Sequence, residues 1–154
     1  MSRFSQLGMT LTETTMALAI VGALGAVAGP AYTDYVEDGR TAEAINHMLR
    51  IEAAIENYKL DHHEAPAALT ELFATVPVDP WGLPFEYKRF DGEDDDLQTG
   101  FRLNRDYELF SHGRDGETGR TITADETQDN VARAFNGGFI GSMSEMQKVG
   151  ITGS

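Results

Sequence analysis

The sequence predicts an α+β protein in which one long N-terminal α-helix is packed, through its second half, on a small antiparallel β-sheet. Three observations carry this. Between Thr14 and Thr33 there is no charged side chain, and about twenty residues at 1.5 Å each span a hydrocarbon core of roughly 30 Å. Beyond Pro30, Ala44, Met48, Ile51, Ile55 and Tyr58 recur at spacings of four and three among Glu43, Asn46, Arg50, Glu52, Glu56 and Lys59, the pattern of a helix with one apolar stripe. Farther along, short alternating runs around Phe85, Leu103 and Leu109 read as strands.

The first stretch to justify is Gly8-Met9-Thr10-Leu11-Thr12-Glu13 and the apolar run behind it. One acid, Glu13, stands at the mouth of that run. A carboxylate at bilayer depth costs about 2.5–3.5 kcal/mol, less near the interface, and such groups are normally paired. Cleavage between Gly8 and Met9 would place a new α-amine close in depth to Glu13. The amine of one copy would then neutralise the carboxylate of the next and register identical subunits side by side. A competing reading is an ordinary secretory signal, with Ala26-Val27-Ala28 before Gly29 as a small-x-small cleavage site. Glu13 decides against it, because a charge opening the apolar region of a disposable signal is unexpected.

Within the run, Gly25 and Gly29 form a G-x-x-x-G spacing among alanines, which lets helices approach closely in lipid. A merely weakly apolar helix is the plain alternative. Pro30 removes a backbone donor and is expected to loosen the helix locally. One helix is expected from about Thr10 to Leu60, with a break at Gly39 left open. Asp61-His62-His63-Glu64 lacks the ligand spacing of a zinc site and reads as a solvated turn. Pro66 closes that turn, and Leu69, Leu72 and Phe73 are expected to face a core.

Val78-Asp79-Pro80-Trp81-Gly82 reads as a tight turn entering a strand at Phe85-Glu86-Tyr87. Asp91–Asp96 is an acidic run of the kind found at solvated hairpin tips. Phe101-Arg102-Leu103 and Tyr107-Glu108-Leu109-Phe110 complete an expected three-stranded antiparallel sheet. The stretch from Ser111 to Asn130 is long, polar and rich in carboxylates. Such a loop in a compact domain is functional or disordered, and it holds enough oxygens for a hard cation. Val131, Ala134 and Phe135 read as a short helix, and the apolar stretch Phe139–Met146 has no assigned role.

Composition narrows the function. The chain has 154 residues, 25 acidic against 12 basic, and a net charge of −13. The acidic balance argues against nucleic acid, which needs clustered Lys and Arg. The hundred or so residues outside the apolar segment make one small domain. There is no cysteine to staple it. No G-x-S-x-G elbow, cysteine nucleophile or H-E-x-x-H motif is present, so no enzyme is expected.

Taken together, Arg3, Gly8, Met9 and Glu13, then Tyr58-Lys59-Leu60-Asp61, Val78-Asp79-Pro80-Trp81-Gly82 and Tyr107-Glu108-Leu109-Phe110-Ser111 with Gly113 and Asp115-Gly116, resemble the type IV pilin and type II secretion pseudopilin family. The major pseudopilin is the nearest form, and the resemblance runs to about Phe135. Met9 departs from the phenylalanine usual at that place. The resemblance implies a leader of residues 1–8 removed by prepilin peptidase, a membrane and filament-core segment over 9–33, and the rest of the helix with the globular domain over 34–154. It implies N-methylation of Met9, assembly through Met9, Glu13 and Pro30, and a homopolymer drawn from the bacterial inner membrane into a periplasmic or extracellular filament. Partners would be the inner-membrane assembly platform and minor pseudopilins. It also implies calcium in the long loop, on Asp115 and the carbonyl of His112, with Asp125 and Asp129 as downstream ligands. The reading from another class is a soluble calcium-binding or hydrolytic domain released after Ala28.

Overall fold

The structure is a computed structural model, and it describes residues 9–90, 103–117 and 127–148. The chain divides into two compact units, one up to Glu37 and one from Asp38 onward. Helix α1, Leu11–His62, carries Pro30 in its interior and continues through Gly39, so the break left open there is absent.

In the first unit every residue from Met9 to Tyr35 is exposed. The stretch is long and apolar enough to cross a membrane, with a mean hydropathy of 1.6 over its best window. Pro30 has no N–H to give the carbonyl of Ala26, and one turn on, the Thr33 hydroxyl donates to the Gly29 carbonyl at 3.2 Å.

The second unit begins with the rest of α1, whose Ala44, Met48, Ile51 and Ile55 are buried. These are the residues of the predicted stripe. The helix ends where His63 turns to φ 62° and its amide reaches back to the Lys59 carbonyl at 2.9 Å, a left-handed residue closing the last turn. Asp61 and His62 lie in that turn, and the His62 ring stacks on Tyr58 at 3.8 Å. A 3₁₀ turn, Leu69–Glu71, buries Leu69, with Leu72 and Phe73 packed against the same core.

Among the described residues the sheet has four strands rather than the three expected. They are β1 (Glu86–Arg89), β2 (Tyr107–Ser111), β3 (Val131–Ala134) and β4 (Phe139–Ser142), in that order and antiparallel throughout. Leu109 faces Tyr87 and Phe110 faces Ala132. Two expectations are corrected. Val131–Ala134 is a strand and not a short helix, and the sheet is completed from the C-terminal side; Leu103 is not in a strand, while Phe101, Arg102 and the acidic run Asp91–Asp96 lie outside the described residues. The stretch after Phe139 supplies β4 and a second helix, α2 (Met143–Lys148).

Both faces of the sheet are covered, which accounts for the misreading. Side chains alternate along a strand, and Tyr107, Leu109 and Val131 join the α1 residues with Phe85 in one core. Phe110, Ala132 and Ala134 join Met143 and Met146 of α2 in a second. Every residue of β2 and β3 is therefore buried, and no polar face remains to mark β3 as a strand.

The inward position of β3 between Val131 and the turn is held by a charge. Arg133, 1% exposed at its side chain, bonds Glu52 of α1 at 2.7 Å and Asp106 at 2.9 Å, with its guanidinium 4.0 Å from the Tyr107 ring centroid. Beside it, the buried Glu108 carboxylate accepts the amides of Leu103 and Asn104 and the Asn104 side chain at 2.6–2.9 Å. Phe135, Asn136 and Gly137 then all take positive φ. A Cβ on Gly137, at φ 90°, would meet the Glu52 carboxylate and push it from the ion pair, so the turn favours glycine there.

Burial works against charge on Asp106, but the hydrogen bonds from Arg133, from the Tyr107 amide and from its own amide outweigh it and hold its carboxyl below the ordinary value of 3.8. A lowered folded pKa means stability that is present above 3.8 and lost as pH falls through the folded value. Acid titration of the fragment from Asp34 onward is expected to show this loss, and Asp106→Asn is expected to flatten that limb of the curve. An unchanged limb would mean that other carboxylates set the acid stability.

Candidate functional site

Two places hold the residues singled out from the sequence. The first is the start of α1. Met9 is 71% exposed, and Gly8 lies outside the described residues. Glu13 folds back over the first turn, where its carboxylate accepts the Thr10 amide at 2.8 Å and the Thr10 hydroxyl at 2.9 Å. The same hydroxyl oxygen accepts the Glu13 amide at 3.2 Å. This is a reciprocal capping box, which satisfies donors that an α-helix leaves bare at its first turn. Thr10 was missed from the sequence although its signal is plain: Thr-x-x-Glu ahead of an apolar run is the capping-box pattern. The carboxylate is thus held in place on its own helix.

The second place is built around Asp79. The Asp79 amide bonds the Leu83 carbonyl at 2.7 Å, and the Gly82 amide bonds the Asp79 carbonyl at 3.0 Å, closing the proline-tryptophan-glycine turn. Gly82 sits at φ 93°, a conformation open to glycine at little cost. One oxygen of the buried Asp79 carboxylate accepts the amides of Trp81 and Leu83 at 3.1 and 2.8 Å. The other accepts the Ser111 hydroxyl at 2.6 Å. The Ser111 oxygen in turn accepts the Gly113 amide at 3.1 Å. One buried side chain therefore ties the turn to the start of the long loop.

From there the loop closes on Asp129. A Cβ on Gly113 would lie 2.6 Å from the Asp129 carbonyl oxygen, so only glycine permits this approach. The Asp129 carboxylate accepts the amides of Arg114 and Asp115 at 2.8 and 3.1 Å through Oδ2. Its other oxygen, Oδ1, is buried and has no hydrogen-bond partner among the described residues. Asp115 is exposed and accepts the Glu117 amide at 2.9 Å. The His112 ring lies 2.9 Å from the Glu86 carboxylate. The structure thus brings the Asp115 amide onto Asp129, while the Asp115 carboxylate turns to the Glu117 amide and the His112 ring to Glu86. Asp125 lies outside the described residues. Among the described residues no three acids or histidines converge as a metal cage. The orphaned Asp129 oxygen nevertheless fits a hard cation, because a buried carboxylate oxygen without a donor is costly.

A long exposed apolar helix that leads into a small sheet-and-helix domain is the pilin-like α+β fold. The comparisons agree with that class and narrow it. The chain is 29% identical over 140 residues to type II secretion system core protein G of Pseudomonas aeruginosa, covering 77% of this chain and 91% of that protein. It is 27% identical over 140 residues to type II secretion system core protein G of Aeromonas hydrophila, covering 77% and 90%. It is also 43% identical over 72 residues to type IV major pilin protein PilE1 of Neisseria gonorrhoeae, covering 47% of this chain and 44% of that pilin. The likeness to core protein G extends along most of both chains, whereas the likeness to the pilin spans less than half of either. No family model matches the chain, and no solved structure matches it significantly.

Proposed function

We propose that the chain is the major subunit of a type II secretion pseudopilus, a structural protein and not an enzyme, cut after Gly8 by prepilin peptidase and N-methylated on Met9. The observation that carries this is the similarity to core protein G over 91% of that protein, in a chain whose first helix is exposed from its start to Tyr35 and without charge from Thr14 to Thr33. A helix of that kind has two ways to leave water, a bilayer or the helices of other copies, and a subunit that moves from the first to the second uses both. In the inner membrane it awaits the assembly platform. In the fibre the helices form the core, with the globular domains as the shell and minor pseudopilins as partners.

At the joint between copies, the Met9 amine of one subunit pairs with Glu13 of the next. Thr10 holds the Glu13 carboxylate over the first turn, so the acceptor is oriented before the amine arrives. Pro30 and the glycines before it supply the local freedom the helix needs on packing.

The test is the N-terminal residue of the mature protein, read by mass spectrometry of its first peptide from membranes. A start at N-methylated Met9 is expected. A start at Gly29 would remove Glu13 and the membrane helix from the mature chain and overturn the reading.

Calcium in the loop is a second part of the proposal. Asp115, Asp125, Asp129 and the His112 carbonyl would hold it, and the buried Asp129 oxygen supports the assignment. Bound there, the cation would neutralise that oxygen and tie the loop to the sheet in a domain without disulfides. At free calcium a hundredfold above Kd, linkage adds about 2.7 kcal/mol. The fragment from Asp34 onward is accordingly expected to melt several degrees lower in chelator, and Asp115→Ala to abolish the difference. Equal melting with and without chelator would remove the site.

A further inference from the structure

We propose that Tyr32 and Tyr35 form an aromatic anchor that seats the helix in the outer headgroup layer of the membrane, and that this places Glu13 at the opposite, cytoplasmic boundary and not inside the hydrocarbon. The inference rests on the membrane-resident subunit proposed above and adds the depth at which that subunit waits.

Two observations meet at the same depth. Tyr32 and Tyr35 are 71% and 76% exposed, and residues three apart share one face of a helix. Tyrosine is enriched at membrane–water boundaries because its ring is apolar and its hydroxyl prefers water and headgroups. The first charge after Glu13 is Asp34, between the two tyrosines, and Glu37, Asp38 and Arg40 follow.

The length of the helix then sets the other end. Glu13 and Tyr32 are nineteen residues apart, about 28 Å at 1.5 Å per residue, close to a hydrocarbon thickness of roughly 30 Å. With the tyrosines at the outer boundary, Glu13, Thr12 and Thr10 reach the inner one, where a carboxylate is hydrated. Its desolvation is thereby deferred to the moment when the subunit rises out of the bilayer, and the partner amine of another copy becomes necessary only then.

The absence of cysteine allows single-cysteine spin labels on the full chain, reconstituted in phosphatidylethanolamine and phosphatidylglycerol vesicles. Depth is read from the accessibility of each label to oxygen and to a polar nickel chelate. Labels on Thr12→Cys and Thr33→Cys are expected at headgroup depth on opposite sides, and on Gly22→Cys at the bilayer centre. Adding Tyr32→Ala and Tyr35→Ala is expected to move the Thr33→Cys label by about one helical turn. A Thr12→Cys label in the hydrocarbon, a Thr33→Cys label in the hydrocarbon or in bulk water, or no movement on removing the tyrosines would each overturn the anchor. A Gly22→Cys label with the polar accessibility of bulk water would overturn the membrane reading itself.

Discussion

Glu13→Ala is expected to abolish fibre assembly while the subunit still inserts in the membrane and is still processed. The expected loss is large because the substitution leaves the Met9 ammonium of the neighbouring copy unpaired in an apolar surrounding, where a bare charge costs about 2.5–3.5 kcal/mol, on the order of a hundredfold in each subunit contact. The alanine variant alone does not separate two roles, since Glu13 also completes the capping box with Thr10. Glu13→Gln does, because glutamine serves the capping box as well as glutamate and carries no charge to meet an amine. We expect Glu13→Gln to fail in assembly like the alanine variant, and Thr10→Val to weaken assembly without abolishing it. Fibres of normal yield from Glu13→Gln, counted by electron microscopy or by cross-linking of subunits, would transfer the role from the ion pair to the cap.

Arg133→Met is expected to destabilise the domain by about 3–5 kcal/mol, the cost of removing one partner from a buried ion pair. It would leave Glu52 and Asp106 facing each other at the edge of the core, with the guanidinium gone from the Tyr107 ring. A domain of this size has about 5–15 kcal/mol in total, so the variant is expected to unfold at or near ambient temperature. Removing the charges on the other side restores balance. Arg133→Met combined with Glu52→Gln and Asp106→Asn is expected to recover most of the loss, because an uncharged replacement of a buried ion network is often neutral. Denaturant melts of the fragment from Asp34 onward measure both, and a single-variant loss under about 1 kcal/mol would place Arg133 among solvated surface pairs instead.

That arginine also explains where sequence reasoning stopped. Val131-Ala132-Arg133-Ala134 carries two small residues and a charge, which argues against a core strand, and the burial of Arg133 depends on Glu52, 81 residues away. Nothing local reports such a partner. The capping box at Thr10 was different, since both of its residues lie within one turn and the pattern was there to be read.

The sequence by itself determined the elements whose evidence is periodic and local. These are the uncharged membrane-length run with Glu13 at its mouth, the apolar stripe Ala44–Ile55, and the alternating strands beside the proline-tryptophan-glycine turn. Tertiary structure alone decided what closes the domain. β3, β4 and α2 are held by burial of the second face of the sheet against Met143 and Met146, and Asp79 and Asp129 hold the two ends of the long loop because their carboxylates meet the Ser111 hydroxyl and the Arg114 and Asp115 amides, brought from elsewhere in the chain. Periodicity reports which side of an element leaves water; it carries no information about which distant group will satisfy a charge once water has been excluded.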